Sequence, residues 1–167
     1  MSAFIVRPEE PEDRVAIRSL LMLAFGNEGE GKLVDALRIA GDIVLSLVAE
    51  RDGEVRGYIL FSRLIVRQEV VRFPAVGLAP LAVHPDHQRE GIGSALVEEG
   101  HLRLRQRDER LSVVLGDPAY YGRFGYTHER AKAFESTYQG EALQALAWGE
   151  APLEGALEYP AAFADLG

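Results

Sequence analysis

Hydrophobic residues recur along the chain at two spacings, which predict both helices and strands. Ile17, Leu20, Leu21 and Ala24 fall at three- and four-residue intervals, the spacing of one helix face. The nearly continuous apolar run 43–49 is rich in β-branched residues and instead predicts a buried strand. By these criteria the predicted strands span residues 4–6, 43–49, 55–66, 70–83, 111–115, 134–138 and 153–159. The predicted helices start near residue 12 and span 30–40, 92–106, a short segment after 117, and 141–147.

Turn and breaker residues between these segments indicate how the strands connect. Asp52-Gly53 is typical of a two-residue hairpin turn, whose central residues need positive φ. The strand at 70–83 contains Pro74 and Pro80, so we expect interruptions there. The early strands predict an antiparallel meander, and the later strand–helix–strand order predicts a crossover. Together they indicate an α/β fold with a mixed, mostly antiparallel central sheet and helices on both faces.

Length and composition fit one globular domain. The chain has 167 residues, 47% of them hydrophobic, so residues 1–167 are predicted to form a single domain. The net charge of −8 argues against nucleic acid or an anionic membrane as partner and favours an amine-bearing substrate. No signal peptide is recognisable, and no apolar run approaches the roughly 20 residues of a membrane helix. We therefore expect a cytoplasmic protein, either a monomer or a homodimer.

Cysteine and metal chemistry are both disfavoured by the sequence. The chain contains no cysteine, which excludes disulfides, a thiolate nucleophile and thiolate metal ligands. His84 and His87 flank Pro85-Asp86, but the proline breaks a helical spacing and no third ligand is evident. No metal site is predicted.

The segment from Gly77 to Ser94 holds the most informative chemistry. It predicts a strand, a loop and a helix whose first turn contains Gly91 and Gly93. A helix start presents unpaired N–H groups and a positive dipole end, which suit a phosphate or pyrophosphate. A P-loop fits poorly because the segment has no lysine, and a dinucleotide fingerprint fits poorly because position 96 is leucine.

Pro80 predicts a second feature of the same segment. Because proline cannot donate to a strand ladder, it favours a bulge that interrupts pairing with the strand at 111–115. The backbone groups of Leu81, Ala82 and Val83 would then be free for a ligand that carries amides. Pantetheine, joined to a pyrophosphate, is such a ligand. The alternative is that Pro80 only kinks an edge strand.

These motifs together resemble those of the GNAT N-acetyltransferase superfamily. Residues 88–93, Gln-Arg-Glu-Gly-Ile-Gly, resemble its Gln/Arg-x-x-Gly-x-Gly/Ala signature, and 81–83, Leu-Ala-Val, resemble its splayed fourth strand. Residues 121–126, Tyr-Gly-Arg-Phe-Gly-Tyr, resemble the Tyr-x-x-x-Gly-Phe/Tyr element after the fifth strand. The likeness runs from about residue 4 to residue 126 and is strongest to the YhbS-like subgroup of predicted acetyltransferases.

The resemblance implies a fold, a cosubstrate and residue roles. It implies a splayed fourth and fifth strand pair, with acetyl-CoA bound between the strands and no metal. Leu81 and Val83, with Ala82 between them, would pair with pantetheine, and Tyr121 would be the general acid, with Tyr120 its nearest competitor. The signature begins at Gln88, and the pyrophosphate would bind the backbone N–H groups of Arg89, Glu90, Gly91, Ile92, Gly93 and Ser94. Asp117 departs from the family pattern by standing only four residues before the tyrosine, so the helix between them is expected to be short.

The acceptor side is less defined. The family transfers the acetyl group directly to an amine, which belongs here to an unspecified small molecule or protein. Glu28 and Glu30 are candidates for taking the amine proton, and their alternative role is that of ordinary solvated carboxylates. Two other functions stay open: an acyl-CoA-binding domain without transfer activity, and an unrelated phosphate-binding domain.

Overall fold

The computed structural model describes residues 3–166 and centres on an eight-stranded sheet. The strands are β1 Ile5–Pro8, β2 Ile43–Arg51, β3 Glu54–Gln68, β4 Val71–Val83, β5 Leu111–Leu115, β6 Phe134–Glu135, β7 Leu143–Ala147 and β8 Gly155–Glu158. The α-helices are α1 Arg14–Phe25, α2 Gly29–Ala40, α3 Ile92–Gln106, α4 Pro118–Tyr121 and α5 His128–Ala131. Short 3₁₀ helices span Pro11–Asp13, Pro85–His87, Gly122–Phe124 and Ala161–Leu166. None of the helices within 3–166 is long and apolar enough to cross a membrane.

Strands β1 to β4 form the predicted antiparallel meander. The sheet order is β1-β2-β3-β4-β5-β7, and β8 pairs with β3 and β6. Asp52 and Gly53 have φ values of 54° and 79° between β2 and β3, which confirms the predicted hairpin turn. Strand β3 extends beyond its pairing with β2, and its last part pairs with β8.

The predicted crossover from β4 through α3 to β5 is also present, and it makes β5 parallel to β4. Strand β4 continues through Pro74, so the interruption predicted there is wrong. The bulge predicted at Pro80 is present: Ile59 faces Leu81 but Phe61 faces Leu78, which leaves one extra residue on β4, and pairing with β5 ends at Leu78. The strand bulges there and resumes pairing with β3 because β3 itself is long.

Helices cover both faces of the sheet, as predicted. Alternate residues of a strand point to opposite faces, and β2 shows this clearly. Leu47 packs into a core cluster with α3, and Val48 packs into a second cluster with α1 and α2. Helix α3 therefore lies on one face and the α1–α2 pair on the other, with the strands between them.

The C-terminal part differs from the sequence prediction. Residues 141–147 were predicted as a helix, but 143–147 form β7, which pairs antiparallel with β5 from Leu111 to Leu115. The alternating and helical spacings are hard to distinguish in so short an apolar run, and the open edge of β5 decides in favour of a strand. The predicted strands 134–138 and 153–159 shrink to β6 and β8.

Asp13 ties the first strand to the start of α1. Its carboxylate accepts hydrogen bonds from both terminal nitrogens of Arg7, at 2.8 and 2.9 Å, and from the Glu10 N–H at 2.7 Å. Asp13 is only 7% exposed, and the hydrogen bonds from Arg7 lower the pKa of this carboxyl. The ionised Asp13 carboxylate therefore contributes to the stability of the folded chain.

We expect Asp13→Asn to lower the free energy of unfolding by about 2 kcal/mol at pH 7, because it weakens charge-assisted hydrogen bonds in a buried site. The pKa of Asp13 is lower in the folded than in the unfolded state, so its stabilisation is complete above about pH 4 and is lost as pH falls through the folded pKa. Urea unfolding at pH 7 and pH 3 measures this. The exposed Glu12→Gln is the control, with the same charge change; an equal loss in both variants would contradict the expectation.

Candidate functional site

Strands β4 and β5 separate to form a V-shaped gap. Their pairing is confined to three residue pairs and ends at Leu78 with Val114. Beyond this point no strand among residues 3–166 lies beside this edge of β4, so its N–H and C=O groups are free to pair with a ligand. Leu81 and Val83 face a cavity of about 580 Å³. Ala82 between them is buried on the opposite face, in the core cluster with α1 and α2.

The start of α3 closes one end of this cavity. Gly91 is the N-cap residue with φ of 87°, and in the described part of the chain no side chain forms a capping hydrogen bond with the first N–H groups of the helix. Arg89 also has positive φ, at 66°. These conformations turn the loop so that the free amides of the first helical turn face the cavity, where an anion would be stabilised. The residues lining the cavity are Leu81, Val83, Gln88, Arg89, Gly91, Ile92, Gly93, Ser94, Tyr120 and Arg123.

Gly93 is required by close packing and not by its backbone conformation. A Cβ at this position would lie 2.6 Å from the Tyr120 hydroxyl, whereas the next contact, with Val83, would be an ordinary 3.6 Å. The Tyr120 hydroxyl thus rests directly on the helix start. Burial raises the pKa of Tyr120, so its phenol stays protonated at neutral pH.

We expect Gly93→Ala to weaken coenzyme A binding by about tenfold, since overpacking at such a contact costs about 1–2 kcal/mol. The clash involves only the hydroxyl oxygen, and adding Tyr120→Phe to Gly93→Ala should restore most of the affinity. Calorimetric titration of the two single variants and the double variant gives the coupling between the residues. Additive losses in the double variant would show that Gly93 serves another purpose.

Two of the predicted cosubstrate-binding residues lie outside the cavity lining: Ala82, which is buried on the opposite face, and Glu90. Its side chain pairs with Arg51 at the end of β2, and this hydrogen bond lowers the pKa of Glu90. His87 lies 3.5 Å from the same carboxylate. Glu90 therefore anchors the loop to the sheet. In the part of the chain that the structure describes, His, Asp and Glu form no group able to hold a metal ion.

Arg123 is a cavity residue that the sequence analysis missed. Its guanidinium lies over the Tyr120 ring, 4.7 Å from the centroid, and its Nη2 is 3.4 Å from the Ser94 hydroxyl oxygen. This places a positive charge beside the free helix amides, where it would stabilise a bound phosphate. The signal was available, because Arg123 is the cation inside the motif Tyr-Gly-Arg-Phe-Gly.

Tyr121 lies on the β5 side of the gap. Its ring packs on Gly116, where a Cβ would come within 2.6 Å of the Tyr121 ring, and it meets the Tyr126 ring at 5.9 Å. Gly116 is two residues beyond the last residue of β5 that pairs with β4. Burial raises the pKa of Tyr121 to about 12. The two adjacent tyrosines therefore occupy different places, Tyr120 at the helix start and Tyr121 beside the strand.

Comparison with known proteins identifies the family. The acetyltransferase (GNAT) domain family matches residues 6–128 of this chain. The chain belongs to the GNAT acetyltransferase family. It is 42% identical over 123 residues to the uncharacterized N-acetyltransferase YhbS of Escherichia coli K12, covering 73% of this chain and 72% of YhbS. It is 35% identical over 119 residues to YjhQ of the same organism.

Solved structures of GNAT proteins share the whole fold. The structure of E. coli YhbS in complex with CoA superposes with a TM-score of 0.91 and 34% identity, covering 100% of this chain and 95% of YhbS. A GNAT acetyltransferase of Brucella melitensis in complex with acetyl-CoA gives 0.82 and 39%, covering 96% and 98%. These matches confirm the predicted mixed sheet with its splayed fourth and fifth strands.

This GNAT chain has a second cavity, of about 360 Å³, at the base of the gap. Leu78 and Ala79 of β4 and residues 113–115 of β5 line it, together with Glu30 of α2. Glu28, the other predicted carboxylate, is exposed and pairs with Lys32 at 3.5 Å, outside this cavity. The first cavity lies beside the start of α3, and the second cavity lies beside the start of α2.

Proposed function

We propose that this GNAT protein is an N-acetyltransferase that moves the acetyl group of acetyl-CoA to a primary amine. In this proposal residues 1–167 act as one acetyltransferase domain. The proposal rests on the free edge of β4 and on the neighbouring start of α3, which lacks a side-chain capping hydrogen bond in the described residues. The amides and the pyrophosphate of coenzyme A follow one another in the same order as these two features. Two relatives of this fold, from E. coli and B. melitensis, hold CoA and acetyl-CoA.

Each part of the cavity has a matching part of the cosubstrate. Leu81 and Val83 would pair through their backbone with the pantetheine amides, which replace the missing strand partner. The amides of the first turn of α3 would hold the pyrophosphate, with Arg123 and Arg89 supplying positive charge. The thioester would then reach the base of the gap, next to the second cavity, where the acceptor amine enters.

Transfer is a direct displacement. The lone pair of the neutral amine attacks the thioester carbonyl carbon, and the tetrahedral intermediate collapses by breaking the C–S bond. The departing thiolate takes a proton from the Tyr121 phenol, while the nitrogen releases one proton to solvent, and solvent reprotonates the tyrosine. The products are the N-acetyl amine and coenzyme A. The position of Tyr121 beside β5, away from the helix start, supports this assignment over Tyr120.

Calorimetric titration with acetyl-CoA, desulfo-CoA and 3′,5′-ADP tests the cosubstrate. We expect micromolar binding that needs the pantetheine arm, followed by thiol release when primary amines are added. Equal binding of 3′,5′-ADP would contradict the assignment and support a simple phosphate site. Tight acetyl-CoA binding without thiol release from any amine would favour a binding domain without transfer activity.

A further inference from the structure

The second cavity, which lies beside the proposed end of the cosubstrate, is lined mostly by apolar and aromatic residues. Its strand walls are apolar, formed by Gly77–Ala79 and by Val113–Leu115. Three aromatic side chains complete it: Tyr138, Tyr159 and Phe163. The Tyr159 ring contacts the other two rings edge-on, at centroid distances of 5.3 and 5.7 Å. The cavity therefore offers a continuous aromatic wall opposite the splayed strands.

Glu30 is the charged residue of this lining among the residues that the structure describes. It lies in the first turn of α2, and its Oε2 is shielded from solvent without a hydrogen-bond partner in the described part of the chain. A carboxylate that is partly buried in this way is costly unless a positive charge beside it compensates the burial. The chemistry that suits it is a cation with N–H donors.

The aromatic wall favours the same ligand. Tyrosine and phenylalanine ring faces attract cations and also bury apolar groups. Because Glu30 is the charged residue of the lining among the described residues, it neutralises one positive charge, and a second ammonium on the ligand would be desolvated without compensation. The lining therefore matches a molecule with a single amine on an apolar or aromatic body.

We propose that Glu30 binds the ammonium group of the acceptor and that the acceptor is a monoamine with an apolar or aromatic body. This inference rests on the proposed transfer function, since it names the substrate class of that site. Glu30 acts here as an acceptor-binding residue, and the bound ammonium releases one proton to solvent before the neutral amine attacks. Tyr138, Tyr159 and Phe163 hold the body of the acceptor.

The chain provides a matched control two residues away. Glu28 has the same side chain near the start of α2, but it is exposed and pairs with Lys32. Glu30→Gln and Glu28→Gln remove the same charge, and only the first alters the cavity. Both variants should keep wild-type affinity for acetyl-CoA, because neither residue lines the cosubstrate cavity.

Binding to the CoA-saturated full-length protein tests the proposal without relying on turnover. The probes are phenethylamine, its uncharged analogue 2-phenylethanol, and the polyamine spermidine. We expect the wild type and Glu28→Gln to bind phenethylamine more tightly than either other probe. Glu30→Gln should bind it at least about tenfold more weakly and lose the preference over 2-phenylethanol. Glu30→Asp should recover part of the affinity.

Three results would overturn the proposal: unchanged phenethylamine affinity in Glu30→Gln, a wild-type preference for spermidine, or no binding of phenethylamine. A different measurement tests the proposed transfer function. If the wild type bound no acetyl-CoA or released no thiol, that function would fail, even if phenethylamine bound through Glu30. Thermal unfolding of Glu30→Gln shows whether its defect is confined to the cavity.

Discussion

Replacing Tyr121 by phenylalanine should lower kcat for acetyl transfer by about 10²–10⁴-fold, the range of general acid catalysis. The departing thiolate loses its proton donor, while the aromatic ring that packs on Gly116 is retained. Affinity for acetyl-CoA should therefore change little. Steady-state kinetics with a saturating amine, together with calorimetric titration of acetyl-CoA, separate these two effects.

Tyr120→Phe is the matched control for this prediction. The Tyr120 hydroxyl rests on Gly93 at the helix start, at the predicted pyrophosphate end of the cavity. We expect this variant to change neither kcat nor the Kd of coenzyme A by more than about threefold. The reverse pattern, a large fall in kcat for Tyr120→Phe and a small one for Tyr121→Phe, would exchange the roles of the two residues.

The pH dependence gives an independent check on the acid. A phenol with a pKa of about 12 stays protonated below pH 11, so its ionisation causes no loss of activity up to pH 10. We expect kcat/KM to rise with pH as the acceptor amine loses its proton and then to level off. A fall in kcat/KM between pH 8 and pH 10 would show that another group is the acid.

Gly91→Val should reduce the affinity for coenzyme A by about 100-fold or more. Position 91 has φ of 87°, a conformation that costs an L-residue about 1–2 kcal/mol and a β-branched residue more. Because the loop is exposed, we expect it to relax, which turns the first amides of α3 away from the ligand. Calorimetric titration measures the affinity, and circular dichroism checks that the fold is retained.

Gly122→Val is the control for Gly91→Val. Gly122 is also exposed, has φ of −57°, and a Cβ there would meet no atom within 4 Å. We expect this variant to bind coenzyme A nearly as well as the wild type. If both variants lost affinity equally, the backbone conformation of Gly91 would not be what organises the loop.

Elements defined by neighbouring residues were predictable from sequence. The bounds predicted for α3, Ile92–Gln106, agree with the structure, and so do the turn at Asp52-Gly53 and strand β5. Each depends on short-range signals such as a capping glycine, a two-residue turn or a compact apolar run. The short α4 after Asp117 has the same origin, since Asp117 accepts a hydrogen bond from the Ala119 N–H.

Elements whose conformation depends on residues distant in sequence could not be predicted from the sequence. Segment 143–147 forms β7 because the free edge of β5 offers backbone partners, which no local spacing records. Strand β4 continues through Pro74 because it pairs with long β3 on both sides of that residue. In both cases a partner remote in sequence decides the conformation.

The residues of the site also divide into those that local sequence predicts and those that only the fold brings together. Of the ten predicted cofactor residues, eight line the cavity, because Leu81, Val83 and the loop 88–94 form one continuous segment. Arg123 joins them through its contact with the Ser94 hydroxyl, which belongs to a separate element 29 residues earlier in the chain. The choice between Glu28 and Glu30 likewise needed the fold, since only the latter meets the strand gap and the C-terminal aromatic residues.

The amino-acid sequence alone determined the family motifs, the glycine-containing start of α3 and the order of the elements up to β5, because these follow from local conformation and from spacing within one segment. The tertiary structure decided which side of the sheet each residue faces. It placed Tyr120 against Gly93 and Tyr121 against Gly116, and it brought Glu30 and Tyr159 to one cavity across more than a hundred residues of chain. Those relations depend on how the helices and the C-terminal segment pack on the sheet, and packing is a property of the whole fold.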